Sequence, residues 1–200
     1  MSDADDNLGS RKISIQFYSD ILRMRLLKKY GGFWIDSTMA ILDPDIIDRI
    51  HDDYSFMTLR THVEMDYRHV MSGRWTSFFW AGAPGNPFFS YMDDAFTYFI
   101  RRHGSIFEYF HIDYTVATGY AEIPVVRKLI DGASSLFPVP IEITALMDIM
   151  DEPYNSHVMK NIREKAPLQK LTYKRGKQLK TIEDGSETFY GYLTRSFMKP

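Results

Sequence analysis

The stretch KKYGGFWIDSTM (28–39) runs two charges, a tyrosine and a glycine pair straight into Phe33, Trp34 and Ile35, and sets a lone carboxylate, Asp36, behind them. Lys28, Lys29 and Gly31 form the pattern that closes a helix, with cations in the last turn and glycine just past it. The apolar run that follows is too short for a helix and is preceded by Gly-Gly, so it reads as a buried strand with Trp34 in the core. Asp36 then falls at the carboxyl end of that strand, the edge at which open α/β sheets bind ligands. A carboxylate withdrawn from water there has to be paired, protonated or bound to a cation.

Upstream, residues 14–30 have helical spacing, with Ile15, Tyr18, Leu22, Leu26 and Tyr30 as the predicted core row and Ile21 and Leu27 beside it. Asp20 and Arg23 are three apart and therefore neighbours on one helix face. They read either as an ion pair or as two clamps on a polar ligand. A turn at the glycines that folds the strand back along the helix would bring Asp20, Arg23 and Asp36 to one small ligand.

Downstream the pattern mixes strands and helices. Residues 45–50 read as a short helix, 54–63 and 76–83 as strands, and 84–87 (PGNP) as a turn. A helix follows on Phe88, Tyr91, Met92, Ala95, Tyr98 and Phe99, then helices over about 107–119 and from Pro124 to Ile130. This mixture assigns the chain to the α/β class. The segment 168–182 carries Lys170, Lys174, Arg175, Lys177 and Lys180 around an Arg-Gly pair and reads as a hairpin with a basic tip. Residues 1–12 read as a flexible acidic lead and 13–200 as one domain.

At 200 residues, with 44% hydrophobic and 15% aromatic content, the chain can bury a sizeable core and is not of the disordered class. It contains no cysteine, which removes disulfides, thiolate nucleophiles and zinc-thiolate sites from consideration and fits a reducing cytoplasm. No apolar run approaches the length of a membrane span. A net charge of -2 supplies no general attraction to nucleic acid, and no nucleic-acid partner is expected.

The ordered set S-D-x-x-R (19–23), Y-G-G (30–32) and W-I-D-S-T (34–38) resembles the signature of sugar-transferring enzymes with the GT-A fold, and most closely the capsular polysaccharide synthesis glycosyltransferase family. WTSFF (75–79), Asn86-Pro87, YFHIDY (109–114) and KLTYK (170–174) extend the resemblance over most of the chain from residue 13. The resemblance implies transfer of a sugar from a nucleotide diphosphate donor to a hydroxyl of a glycan or lipid-linked glycan. By motif position Ser19, Asp20, Arg23 and Asp36 would hold the donor, with Lys170 and Lys174 reaching its diphosphate. A divalent cation (Mn²⁺ or Mg²⁺) would sit at Asp36 and Thr38. Thr38 stands where the stricter D-x-D relatives carry a second carboxylate and is a poorer, neutral ligand, so the basic segment is expected to compensate. The family's nucleotide-binding unit normally precedes the S-D-x-x-R helix, and this sequence begins close to it. The expected fold is therefore a GT-A-like α/β fold, amino-terminally incomplete, with several helices toward its carboxyl end, an exposed sheet edge and a tendency to self-associate.

His111 and Asp113 are the candidates for catalytic acid-base work. They lie two apart and thus on different helix faces, so at most one enters a shared site. Asp113 on a mostly apolar helix would orient the acceptor or donor, or else satisfy buried backbone or a tyrosine. His62, Glu64, Asp66 and His69 have no metal-ligand spacing and read as a solvated loop. Phe78, Phe79, Trp80, Phe88 and Phe89 read as core rather than sugar platforms. The basic segment also suits contact with an anionic membrane surface, consistent with work at the cytoplasmic face. The competing function is a non-catalytic, shortened glycosyltransferase-like module acting as a partner in an assembly.

Overall fold

The computed structural model describes residues 14–53, 55–60, 73–103, 110–133, 143–172, 174, 176 and 178–197, with backbone alone at 52 and 53. The acidic lead and the cluster at 62–69 lie outside the described residues. In chain order the first elements are α1 (Ile15–Tyr30), β1 (Gly32–Ile35), β2 (Met39–Ile41), α2 (Asp45–Asp53), β3 (Phe56–Thr58) and β4 (Phe79–Gly82). They are followed by α3 (Pro87–His103), α4 (His111–Glu122), α5 (Pro124–Ala133), α6 (Ala145–Asp148), α7 (Ser156–Lys165), β5 (Leu168–Lys170) and α8 (Phe189–Phe197). The chain is mixed α/β and divides into two compact units, Met1–Ile35 with Ile50–Pro138, and Asp36–Arg49 with Val139–Pro200.

In the first unit, α1 starts where the Ser14 side chain accepts the Phe17 N–H at 3.2 Å and stops where Gly31, at φ 65°, donates to the Leu27 carbonyl. Its buried face is Phe17, Ile21, Met24 and Leu27. The predicted row is instead on the outside: Ile15 is 78% exposed, Tyr18 53% and Tyr30 62%, with Leu22 and Leu26 also exposed. Apolar side chains surround most of this helix, so the tertiary partner decided the face. Phe17 meets Phe96 edge-on at 5.3 Å, while Arg25 and Lys28 reach Asp93 of α3 at 2.9 Å each.

The sheet of this unit has the order β1-β4-β3 and both pairs are antiparallel. β4, with a neighbour on each side, is buried throughout; β1 is half-buried rather than buried, and among the described residues it pairs with β4 alone. Trp34, paired with Trp80 across β1 and β4, is accordingly half-buried instead of core. With antiparallel pairing, the ligand-binding edge of an open parallel sheet does not apply to this strand. Asn86 sets the start of α3 by accepting the Phe88 N–H at 2.9 Å and donating to the Ser55 carbonyl at 3.2 Å, and Pro87 opens the helix. α3 buries Phe88, Phe89, Met92, Phe96 and Ile100; of the predicted row, Tyr98 is 68% exposed and Tyr91, Ala95 and Phe99 are half-buried.

Gly31 has two reasons to lack a side chain. Its φ is 65°, and a Cβ would lie 2.7 Å from both the Gly82 carbonyl oxygen and Pro84. Gly31→Ala is expected to destabilise the chain by about 1–3 kcal/mol, read as a lower urea midpoint at unchanged slope. An unchanged midpoint would show that the turn at 31–32 is not held as described.

In the second unit β2 pairs antiparallel with β5, with Met39 opposite Lys170 and Ile41 opposite Leu168. Of the predicted hairpin of 168–182, Leu168–Lys170 pairs with a strand distant in sequence and Thr181 bridges to Glu187, while Tyr173, Arg175 and Lys177 lie outside the described residues. Gln169 is fully buried and fixes the arrangement by accepting the Leu146 N–H and donating to the Ala166 carbonyl, each at 2.9 Å. Leu42, Leu146, Met150, Met159, Ile162, Phe189 and Leu193 form the core of this unit.

Candidate functional site

The motif residues fall into two groups, each within its own unit. In the first unit α1 presents Asp20 and Arg23 on one face, and Arg23 Nη2 lies 3.1 Å from Asp20 Oδ1. Arg23 is 7% exposed, donates through Nη1 to the Ser77 carbonyl, and sits 5.0 Å from the centre of the Trp34 ring. A guanidinium suits this place because its planar fork serves a carboxylate, a carbonyl and an aromatic face together. Ser19, the first residue of the motif, is half-buried on the same helix.

Segment 75–79 is held from three sides. Besides Arg23 at Ser77, the Thr58 hydroxyl accepts the Thr76 N–H at 3.2 Å, and Trp75 donates its indole N–H to Asp113 Oδ1 at 3.1 Å. Asp113 is 3% exposed and Trp75 1%, so their hydrogen bond is made away from water. Sequence reasoning reached Asp113 but not its partner. The roles of Thr58 and of the Ser77 carbonyl carried no sequence signal, since one is a common strand residue and the other a backbone atom.

His111 and Asp113 stand on different sides of the first turn of α4, as their spacing implies. His111 is surrounded by Phe17, Phe96 and Phe99, with ring centres 5.6, 5.7 and 4.2 Å away. Burial lowers its pKa, since the imidazolium is poorly solvated there. Stability from the neutral ring is fully present above the unfolded pKa of about 6.5 and is lost as pH falls through the depressed folded value. The urea midpoint is expected to drop between pH 8 and 5, and to drop less in His111→Phe. Equal slopes in the two proteins would rule out this contribution.

In the second unit the site is a turn and one lysine. The Met39 N–H closes on the Asp36 carbonyl at 2.9 Å, and the Leu171 N–H reaches the Thr38 carbonyl at 2.8 Å. Lys170, fixed opposite Met39 by the strand register, donates from Nζ to Thr38 Oγ1 and lies 3.8 Å from Asp36 Oδ2. The Lys170 and Asp36 side chains are 24% and 30% exposed, enough for a solute to reach them. Lys174 is exposed, and its backbone N–H donates to the Thr172 hydroxyl at 3.1 Å. Among the described residues no group of three or more His, Asp or Glu is placed to hold a metal ion. None of their helices is long and apolar enough to cross a membrane.

The chain belongs to the capsular polysaccharide synthesis protein family, whose model matches residues 5–193. Comparison with curated proteins and with solved structures gives no match.

Proposed function

We propose that this chain is a glycosyltransferase of the GT-A type that moves a sugar from a nucleotide diphosphate donor to a hydroxyl of a capsular or surface glycan. The observation that carries the reading is the Lys170 ammonium set beside Asp36 and Thr38 by the β2–β5 register. A departing nucleoside diphosphate gathers negative charge, and a prepositioned cation lowers the barrier by meeting it. Asp36 orients that cation and offers an acceptor to donor hydroxyls. For Ser19, Asp20 and Arg23 a donor-binding part rests on motif position. For Asp113 the proposed part is to hold Trp75, and through it segment 75–79. Lys174 extends the positive charge beyond β5, and work at the inner face of a membrane suits a chain acting on lipid-linked glycans.

The test is a thermal-shift screen of nucleoside diphosphates and their sugars. At a hundredfold excess over Kd, binding adds about 2.7 kcal/mol, a rise on the order of 5–10 °C. A rise with one base that vanishes in Asp36→Asn supports the donor site. No rise with any of them favours a non-catalytic partner in an assembly.

A further inference from the structure

The row of α1 that helical spacing assigns to the core, Ile15, Tyr18, Leu22, Leu26 and Tyr30, faces outward. From Tyr18 to Leu26 the exposed residues are Tyr18, Leu22 and Leu26 alone, and Ser19, Asp20 and Arg25 on the flanks are half-buried. The helix cannot turn this ridge inward. Phe17, Ile21, Met24 and Leu27 are already buried on its other side, and Arg25 and Lys28 are held by Asp93 of α3. α1 is therefore apolar on two faces, of which the described residues of its unit cover one. A helix that is apolar nearly all round is stabilised by burying both faces.

We propose that the outer ridge of α1 is the contact between two copies of this chain, laid antiparallel about a twofold axis. Spacing supports it first. Tyr18, Leu22, Leu26 and Tyr30 stand four apart and so form one ridge of the kind that packs into the groove of a second helix. Their order, Tyr-Leu-Leu-Tyr, reads the same in either direction, and a twofold contact needs a surface that complements itself. About an axis at residue 24, each Leu22 meets the partner's Leu26 and each Tyr18 meets the partner's Tyr30. Charge supports the direction. A parallel pair would set the exposed Lys29 against its own copy, whereas the antiparallel pair sets it beside the partner's Ser19. Area supports it third. The five side chains leave on the order of 500 Å² of apolar surface on one ridge, at the large end for a monomer. Two such ridges bury about 1,000 Å², the lower bound for a specific interface, which suits a reversible dimer rather than a permanent one.

In sedimentation equilibrium of the full chain, wild type is expected to dimerise with a dissociation constant of about 1–100 µM, the weak range for an interface of this area. Leu22→Glu and Leu26→Glu are each expected to weaken the dimer at least roughly thirtyfold, since each puts a carboxylate from both copies into the apolar contact. Both positions are exposed, so circular dichroism should show an unchanged fold. Val158→Glu, a like change on the exposed side of α7, is expected to leave the dimer alone. Direction is read from the double variant Leu22→Glu/Leu26→Lys, which joins unlike charges in an antiparallel pair and like charges in a parallel one. It is expected to dimerise at least roughly tenfold more tightly than Leu22→Glu/Leu26→Glu. A chain that stays monomeric over that range, a dimer that survives Leu22→Glu, or one that Val158→Glu weakens equally would overturn the proposal. So would a monomer that instead binds phosphatidylglycerol vesicles through Leu22, which would give the ridge to a lipid surface. Equal weakening in the two double variants would overturn the antiparallel arrangement.

Discussion

Trp80→Ala is expected to destabilise the first unit by about 3–5 kcal/mol, the range for emptying a fully buried aromatic site. Trp80 lies on the central strand of the sheet, is 0% exposed, stacks on Phe88 at 4.8 Å and faces Phe56 at 6.0 Å. Deleting the indole removes one wall from a cluster whose other members are held by β3 and α3, so the hole cannot close by a side chain swinging in. Trp80→Phe separates packing from polarity. The Trp80 indole N–H is buried and finds no hydrogen-bond partner among the described residues, so phenylalanine loses volume but also removes an unsatisfied donor. Its net cost is expected to be under about 1.5 kcal/mol, as for swaps that keep most of the volume. Urea melts followed by near-ultraviolet circular dichroism read both. Equal, large losses in the two variants would mean that the indole N–H has a partner and that this description of the core is incomplete.

Asp36→Asn is expected to lower sugar transfer by about 10²–10³-fold, the effect of removing one prepositioned electrostatic group. The folded state should hardly notice. The Asp36–Lys170 pair is 30% and 24% exposed, and ion pairs open to water are worth at most about 1 kcal/mol. Asparagine keeps the shape and one acceptor, but it no longer neutralises Lys170 or directs its ammonium. The expected signature is a near-normal melt with a collapsed rate. A normal rate in a folded Asp36→Asn protein would remove Asp36 from the chemistry.

The features legible in the sequence were those written locally. The Lys28-Lys29 pair and Gly31 marked the end of α1, and the turn at 84–87 led into α3, because such signals are decided within one turn. The face of α1 was not legible. Two apolar stripes run along it, and the choice was made by Phe96 and by the Asp93 ion pairs, which lie some seventy positions away. A strand's place in its sheet is likewise set by partners distant in sequence, so the half-burial of β1 could not be read from Phe33, Trp34 and Ile35. Lys170 was legible as a cation for the motif, but its route to Thr38 was not. The hairpin signal around Arg175-Gly176 drew attention to a local partner, whereas the buried amide of Gln169 and the pairing with β2 commit the strand elsewhere. Asp113 was read as open to either a ligand or a structural partner; Trp75, which donates its indole N–H to it, sits in a different motif of the same resemblance.

The most direct test is release of nucleoside diphosphate from a panel of nucleotide sugars, measured by a coupled assay with and without an oligosaccharide acceptor mixture. The expected result is release from donors sharing one base, accelerated by acceptor and lost in Asp36→Asn. Release at equal rates from wild type and Asp36→Asn, or none from any donor by a folded wild-type chain, would contradict the assignment of sugar transfer to this site.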